Sequence, residues 1–335
     1  MFKQAIFFTI LFVLFVAILA ARWFWNDYQY EISHPIVLTE EKTFTIEPGS
    51  NLKTVSKQLA AAGYIHHPTY LVVLARLRQI DNRIKAGEYE LKPGMTPGDM
   101  LDLFISGKVK QYSLTLIEGW TFKQLIEFIN KTPLLVHTLD EQATEKIMLK
   151  ITGQDLSPEG EFFPDTYNFP RKTTDMDFLK RAHERLEHIL AEEWQNRDAD
   201  LPYQLPYQAL IMASLIEKET GLASERPLIA GVFVRRLEKG MKLQTDPTVI
   251  YALGDNYDGN IRLTDLSIDS PYNTYRYPGL PPTPIALAGR EALHAALHPA
   301  AGNSLYFVAK GDGSHHFSST LEEHNKAVKK YQLNQ

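Results

Sequence analysis

The chain has 335 residues, 44% hydrophobic and 22% charged, which is ordinary for a globular protein long enough for about two domains. A net charge of -5 offers no electrostatic ground for nucleic-acid binding. The absence of cysteine excludes disulfides and thiolate metal sites.

In chain order, the run from Ala5 to Ala21, "AIFFTILFVLFVAILAA", carries no charge, with Lys3 before it and Arg22, Trp23 and Trp25 after. Extended to Trp25 it reaches about 20 residues, enough to cross a hydrocarbon core of roughly 30 Å, and the tryptophans suit the interface. No clean small-x-small cleavage site follows, so residues 1–25 read as an uncleaved signal anchor rather than a removed signal peptide. Lys3 and Arg22 nearly balance and do not orient it. No later apolar run is long enough to cross, which places the rest of the chain on one side. Residues 26–40 are polar and irregular and read as a stalk.

Three segments then echo one another: "EPGSNLKTVSKQLAAAG" (47–63), "KPGMTPGDMLDLFISG" (92–107) and "IEGWTFKQLIEFINK" (117–131). Each sets a Gly turn and a capping residue ahead of a short amphipathic helix, after the strand-like runs "TFTI", "GEYEL" and "YSLTLI". Generic strand–turn–helix punctuation accounts for the echo equally well. Residues 132–200 read as mainly helical and charged, interrupted by "SPEGEFFPDTYNFP" (157–170). Beyond 201 the pattern predicts helices at 206–220, 225–239, 286–297 and 319–331, the second capped by Ser224 with Pro227 in its first turn. Strands are predicted at 304–309 and 315–319 around the turn "KGDGS". The fold class is α+β, with a small N-terminal module and a larger C-terminal one.

The stretch "LIMASLIEKETG" (210–221) carries the candidate chemistry. Carboxylates favour helix N-termini, yet Glu217 and Glu219 stand at the C-terminal end. Ser214, Ala213 and Leu210, three, four and seven residues before Glu217, give it a small, apolar face. A carboxyl there loses water, its pKa rises, and it holds a proton for general acid catalysis. Glu219 projects from another face, and Lys218 would oppose the rise if its ammonium folded back. The competing account is that both carboxylates merely solvate a helix end. Three loops add candidates. "EGEFFPDTYNF" offers Glu161, Asp165 and Tyr167. "LQTDPTVIYALG" offers Gln244, Thr245 and Asp246, the last also a possible N-cap for a helix starting near Pro247. "SPYNTYRYPGLPPTPI" offers Tyr272, Asn273 and Tyr275, whose faces and amides suit sugar rings. His315, His316 and His324 cluster in sequence, but adjacent histidines on a strand point to opposite sides and chelate poorly, so no metal site is expected.

Together, "EGEFFPDTYNF", "MASLIEKET", "LQTDPTVIYALG", "SPYNTYRYPGLPPTPI" and "YFVAKGDGSHHFSSTLEEHNKAV" resemble the YceG/MltG-like endolytic murein transglycosylases, across most of residues 43–331. The resemblance implies a LysM-like α/β module at 41–110 and a catalytic domain at 111–335. It implies an N-in anchor through residues 5–25, with the catalytic domain on the periplasmic side of the cell inner membrane. Glu217 would be catalytic. Glu159, Asp165, Tyr167, Lys218, Glu219, Gln244, Thr245, Asp246, Tyr272, Asn273 and Tyr275 would bind substrate or support the site. No metal or organic cofactor is implied, and the partners would be peptidoglycan glycan strands and penicillin-binding protein synthases. The family commonly reads PPGPI with Asn and Pro soon after, whereas here Thr283 stands in "PPTPI" and Leu287 and Ala288 follow. The implied reaction cleaves the MurNAc–GlcNAc β-1,4 bond inside a strand to leave a 1,6-anhydro end. Rival readings are a water-using muramidase with Asp165 or Asp246 as second carboxylate, a wall-binding scaffold without catalysis, and a membrane adaptor without glycan affinity.

Overall fold

The computed structural model describes residues 2–140, 144 and 146–333. The chain divides into two compact units, Met1–Tyr112 with Phe169–Arg171, and Ser113–Asn168 with Lys172–Gln335. Helices and strands are mixed in both.

The first unit begins with α1 (Phe2–Ser33), in which Ile6–Ser33 is long and apolar enough to cross a membrane. This helix runs on to Ser33, through the first half of the segment 26–40 expected to be an irregular stalk. The reason is packing: Tyr28 and Ile32, one turn apart, are 2% and 9% exposed, and they join Ile36 in the core of this unit. Strands β1 (Lys42–Ile46) and β2 (Gly87–Leu91) pair antiparallel with Phe44 opposite Tyr89, and enclose α2 (Leu52–Ala61) and α3 (Pro68–Leu77) in the chain order. Helix α4 (Pro97–Ser106) follows, and Asn51 and Thr96 cap α2 and α4 by accepting from backbone N–H groups. Val55, Leu59, Leu71, Tyr89, Leu101 and Phe104 fill the centre. Helix α3 has no counterpart among the predicted elements.

Strand β3 (Gln111–Thr115), whose last three residues open the second unit, leads through the turn at Glu118–Gly119 into α5 (Phe122–Lys131), capped by Thr121. A short α6 (Ile147–Thr152) precedes β4 (Thr166–Pro170), which pairs with β3. The apolar centre is built by α7 (Asp175–Gln195), α8 (Pro206–Glu219), α9 (Arg226–Glu238) and α11 (Arg290–Leu297). Every residue of α8 from Ala209 to Ile216 is buried, as an all-round apolar helix requires. Helix α10 (Asp246–Leu253) starts one residue before Pro247, with Thr245 rather than Asp246 at its N-cap. Likewise Glu225, not Ser224, holds the N-cap position of α9. The hairpin β5 (Tyr306–Ala309) and β6 (His315–Ser318) pairs Phe307 with Phe317, and α12 (Leu321–Tyr331) closes the chain.

One predicted helix is shorter than its apolar pattern suggested. Residues 286–289 are not helical, because their backbone is committed elsewhere. Ile285 N–H donates to Ser214 Oγ at 3.0 Å, Leu287 N–H to the Trp120 carbonyl at 2.7 Å, and Gly289 N–H to Glu217. The Leu287 carbonyl, which a helix would offer to the Glu291 N–H, accepts from Gly119 N–H instead, so that helical ring does not close.

Candidate active site

Glu217 lies in the last turn of α8, and its side chain is only 6% exposed. Its Oε2 accepts the Gly289 N–H at 3.0 Å, and its Oε1 stands 3.6 Å from Arg226 Nη2. Burial pushes the carboxyl above its ordinary range, and the charge of Glu118 adds to the rise. The Gly289 N–H and the charges of Arg226 and Lys218 oppose it without reversing it.

The walls around this group are set by backbone pairing. Ser214, one turn back, donates to Ile211 O at 2.7 Å and accepts from Ile285, which lays residues 284–289 along α8. Gly119 N–H donates to Leu287 O at 2.8 Å, so the turn after β3 is stitched to the same segment. Lys218 Nζ donates to Gly119 O at 3.0 Å and does not fold back onto Glu217. The result brings Glu118 beside Gly289 and places its Oε2 4.0 Å from Arg226 Nη2. Arg226 also pairs with Glu291. Gly160 approaches Pro284 so closely that a Cβ there would sit 2.4 Å from the proline Cβ.

Glu159 belongs to this side as well. Its Oε1 accepts Phe122 N–H at 2.9 Å and its Oε2 accepts Tyr251 O–H at 3.0 Å. Burial raises its pKa, while these hydrogen bonds and the Lys218 charge restrain the rise. Tyr251 packs on Tyr272 at 4.8 Å between ring centroids, and the Tyr272 hydroxyl lies 2.9 Å from Thr283 Oγ1. Thr283, where the resembled family has glycine, therefore supplies a hydroxyl that holds an aromatic ring in place. Glu217, Lys218, Glu159 and Tyr272 are linked through one set of walls.

Other candidates gather on the opposite face of α8. Glu219 accepts from Thr245 Oγ1, and burial pushes its carboxyl up to about 7. Asp246 accepts from Tyr275 O–H at 2.5 Å, and Gln244 Oε1 accepts from Arg236 Nη1 at 3.2 Å. Gln244 holds φ +53, an uncommon conformation for a non-glycine residue. Glu219, Arg236, Gln244, Asp246 and Tyr275 line a cavity of about 460 Å³ shared with His324, which Glu217 does not line. Asn273 is wholly buried and donates from Nδ2 to Leu266 O and Ile268 O, which fixes its own loop. Asp165 Oδ2 stands 3.7 Å from Arg185 of α7, and Tyr167 donates to Phe163 O at 2.7 Å. These contacts tie the 163–167 loop to itself and to α7.

His315 and His316 do alternate across β6. His315 Nδ1 donates to Glu225 Oε2 at 2.7 Å, while the His316 ring faces Tyr331. Among the described residues, Glu193, His294 and His298 are the group whose atoms converge closely enough to ligate a metal. Arg290 already donates to Glu193 Oε1 at 2.8 Å, and Asp198 accepts from His298. Glu118 and Arg226 escaped the sequence reading. Glu118 was visible only as turn punctuation, and Arg226 as one cation on a helix face.

The profile of the YceG-like family matches residues 44–330. An endolytic murein transglycosylase of Bacillus subtilis is 35% identical over 265 residues, covering 74% of this chain and 73% of that protein. A protein of the same name from Streptococcus pneumoniae strain D39 is 29% identical, covering 96% of this chain and 64% of its own length. The chain thus spans about two thirds of the streptococcal relative. A crystal structure of a YceG-like protein from Listeria monocytogenes superposes with a TM-score of 0.54 at 31% identity, covering 86% of this chain and 99% of that one. By the profile match, the Bacillus relative and the Listeria fold, the chain belongs to the YceG-like family.

Proposed function

We propose that this chain is an endolytic peptidoglycan lytic transglycosylase, cleaving the MurNAc–GlcNAc β-1,4 bond within glycan strands and leaving 1,6-anhydro-MurNAc ends. The observation that carries the reading is Glu217, an enclosed carboxyl with a raised pKa. Its oxygens are oriented by one backbone N–H and one guanidinium. Protonated Glu217 donates to the leaving glycosidic oxygen. It then takes the proton of the MurNAc C6 hydroxyl as that oxygen attacks C1. The nucleophile belongs to the substrate, so holding the sugar makes the attack intramolecular. The family relatives named endolytic murein transglycosylases support the same reading. Asp165 and Asp246, the acids a muramidase would recruit, are engaged with Arg185 and Tyr275 instead.

Several finer assignments belong to this proposal. Residues 5–25 anchor the chain in the inner membrane with the remainder on the periplasmic side, supported by the long apolar helix α1. Residues 41–110 form a LysM-like module, supported by a small α/β unit with its own core, and 111–335 form the catalytic domain. Termination of nascent strands beside penicillin-binding protein synthases is the corresponding cellular role. The test is digestion of purified sacculi by the full chain in detergent, wild type beside Glu217→Gln. Anhydro products from the wild type alone are expected. Products carrying one added water, or equal activity in the variant, would overturn the assignment.

A further inference from the structure

Among the charges that act on Glu217, Glu118 is the acidic one. It arrives there because its turn is held on both sides. Gly119 donates to Leu287 O and accepts from Lys218, while Leu287 donates to Trp120 O. The carboxylate lies against Gly289, where a Cβ would stand 1.9 Å from Glu118 Oε1. Gly289 is also the residue whose N–H holds Glu217. Both acids reach the same Arg226 nitrogen, Glu217 at 3.6 Å and Glu118 at 4.0 Å. Those two oxygens are therefore at most about 8 Å apart, a bound that admits the separations found across a scissile glycosidic bond.

The two acids differ in one respect that assigns their roles. The Glu217 side chain is 6% exposed and the Glu118 side chain 49% exposed. An enclosed acid suits proton transfer, and an open carboxylate beside it presents a fixed negative charge to whatever occupies the site. Arg226 stands between them, so the repulsion between the acids is reduced without either being neutralised by direct contact.

Resting on the transglycosylase reading above, we infer that Glu118 is a second catalytic carboxylate, which faces the sugar ring and stabilises the positive charge that develops at C1 and the ring oxygen. The atoms balance without water. The C1–O bond to the leaving sugar breaks as Glu217 gives its proton to that oxygen. The C6 oxygen bonds to C1 and returns its proton to Glu217. Glu118 neither gains nor loses a proton and forms no bond. Its contribution is charge already in place when the oxocarbenium-like state forms.

The experiment is turnover of purified glycan strands by the full chain in detergent, comparing wild type, Glu118→Gln and Glu118→Asp, with products read by mass and folding followed by thermal unfolding. We expect Glu118→Gln to lower kcat by about 100-fold, with KM changed by less than about 3-fold. Glu118→Asp, which keeps the charge, should recover a substantial part of kcat. The Gln variant should also lose activity at lower pH than wild type, because the charge that helps raise the Glu217 pKa is gone. Unchanged kcat, a pure KM effect, or an Asp variant no better than Gln with folding intact would each overturn the inference. If Gln fails to fold, the Asp comparison alone decides it. A wild-type chain that makes no anhydro product would instead overturn the underlying reading, so the two failures are distinguishable.

Discussion

Glu217 and Gly289 are 72 residues apart in the chain and share a 3.0 Å hydrogen bond from the glycine N–H to the carboxylate. The same glycine has no side chain because the Glu118 carboxylate fills the space where one would stand. One residue thus orients one acid and admits another.

Gly289→Ala tests that dual role. The new methyl would have to displace Glu118 Oε1 or the backbone of 287–289, since ideal placement leaves 1.9 Å between them. Activity on sacculi should fall at least about 10-fold, as small displacements of oriented groups cost rate. Thermal unfolding should show the smaller change, because the half-exposed Glu118 side chain has solvent to be displaced into.

Arg226 and the pH profile form a second test. The reaction needs protonated Glu217, so activity is lost as pH rises through its raised pKa. The Arg226 charge lowers that pKa, and Arg226→Gln removes it. The alkaline limb of kcat/KM should therefore move to higher pH, opposite to the shift from Glu118→Gln. A limb that stays fixed would show that Arg226 does not act on Glu217.

Glu219 provides a stability test independent of turnover. Its folded pKa is pushed to about 7 by burial, above the ordinary carboxylate value. A raised folded pKa gives stability that is complete below the unfolded pKa and lost as pH climbs from about 4.5 through 7. Glu219→Gln should therefore be more stable than wild type at pH 8, by about 2–3 kcal/mol, with the gap closing by pH 5. Denaturant titration at the two pH values measures it.

Ser214→Ala removes the acceptor for the Ile285 N–H within a buried contact. The orphaned donor should cost about 1–3 kcal/mol in denaturant unfolding. Activity should drop further than Thr245→Ala, because only Ser214 positions the segment that carries Gly289.

What could be read from the sequence was local. The capped helices after Asn51, Thr96 and Thr121 announced themselves through turn, cap and spacing, and the turn between β5 and β6 through its glycines. The small, apolar face behind Glu217 was visible for the same reason, since Ser214, Ala213 and Leu210 are one and two turns away. What escaped depended on partners distant in the chain. Residues 286–289 look helical by composition, yet Leu287 gives its N–H to Trp120 and its carbonyl to Gly119, and Glu217 takes the Gly289 N–H. Glu118 looked like turn punctuation until Leu287 was seen to pull its turn against Gly289. Asp246 and Tyr275 stand out in the sequence as candidates on two separate loops, but that they meet each other beside Glu219 depends on contacts distant in the chain.

The unbroken α1 has a mechanical consequence. Its 32 residues form a rod of about 48 Å whose far end, at Tyr28 and Ile32, is embedded in the folded module. If residues 5–25 lie in lipid, as proposed, that module would ride on a mast rather than a leash: its height above the bilayer would be set by helix rise, and swivelling by the stiffness of the shaft. Inserting glycines after Trp25 would slacken this coupling and widen the zone of wall that the protein sweeps, without altering any atom of the catalytic centre.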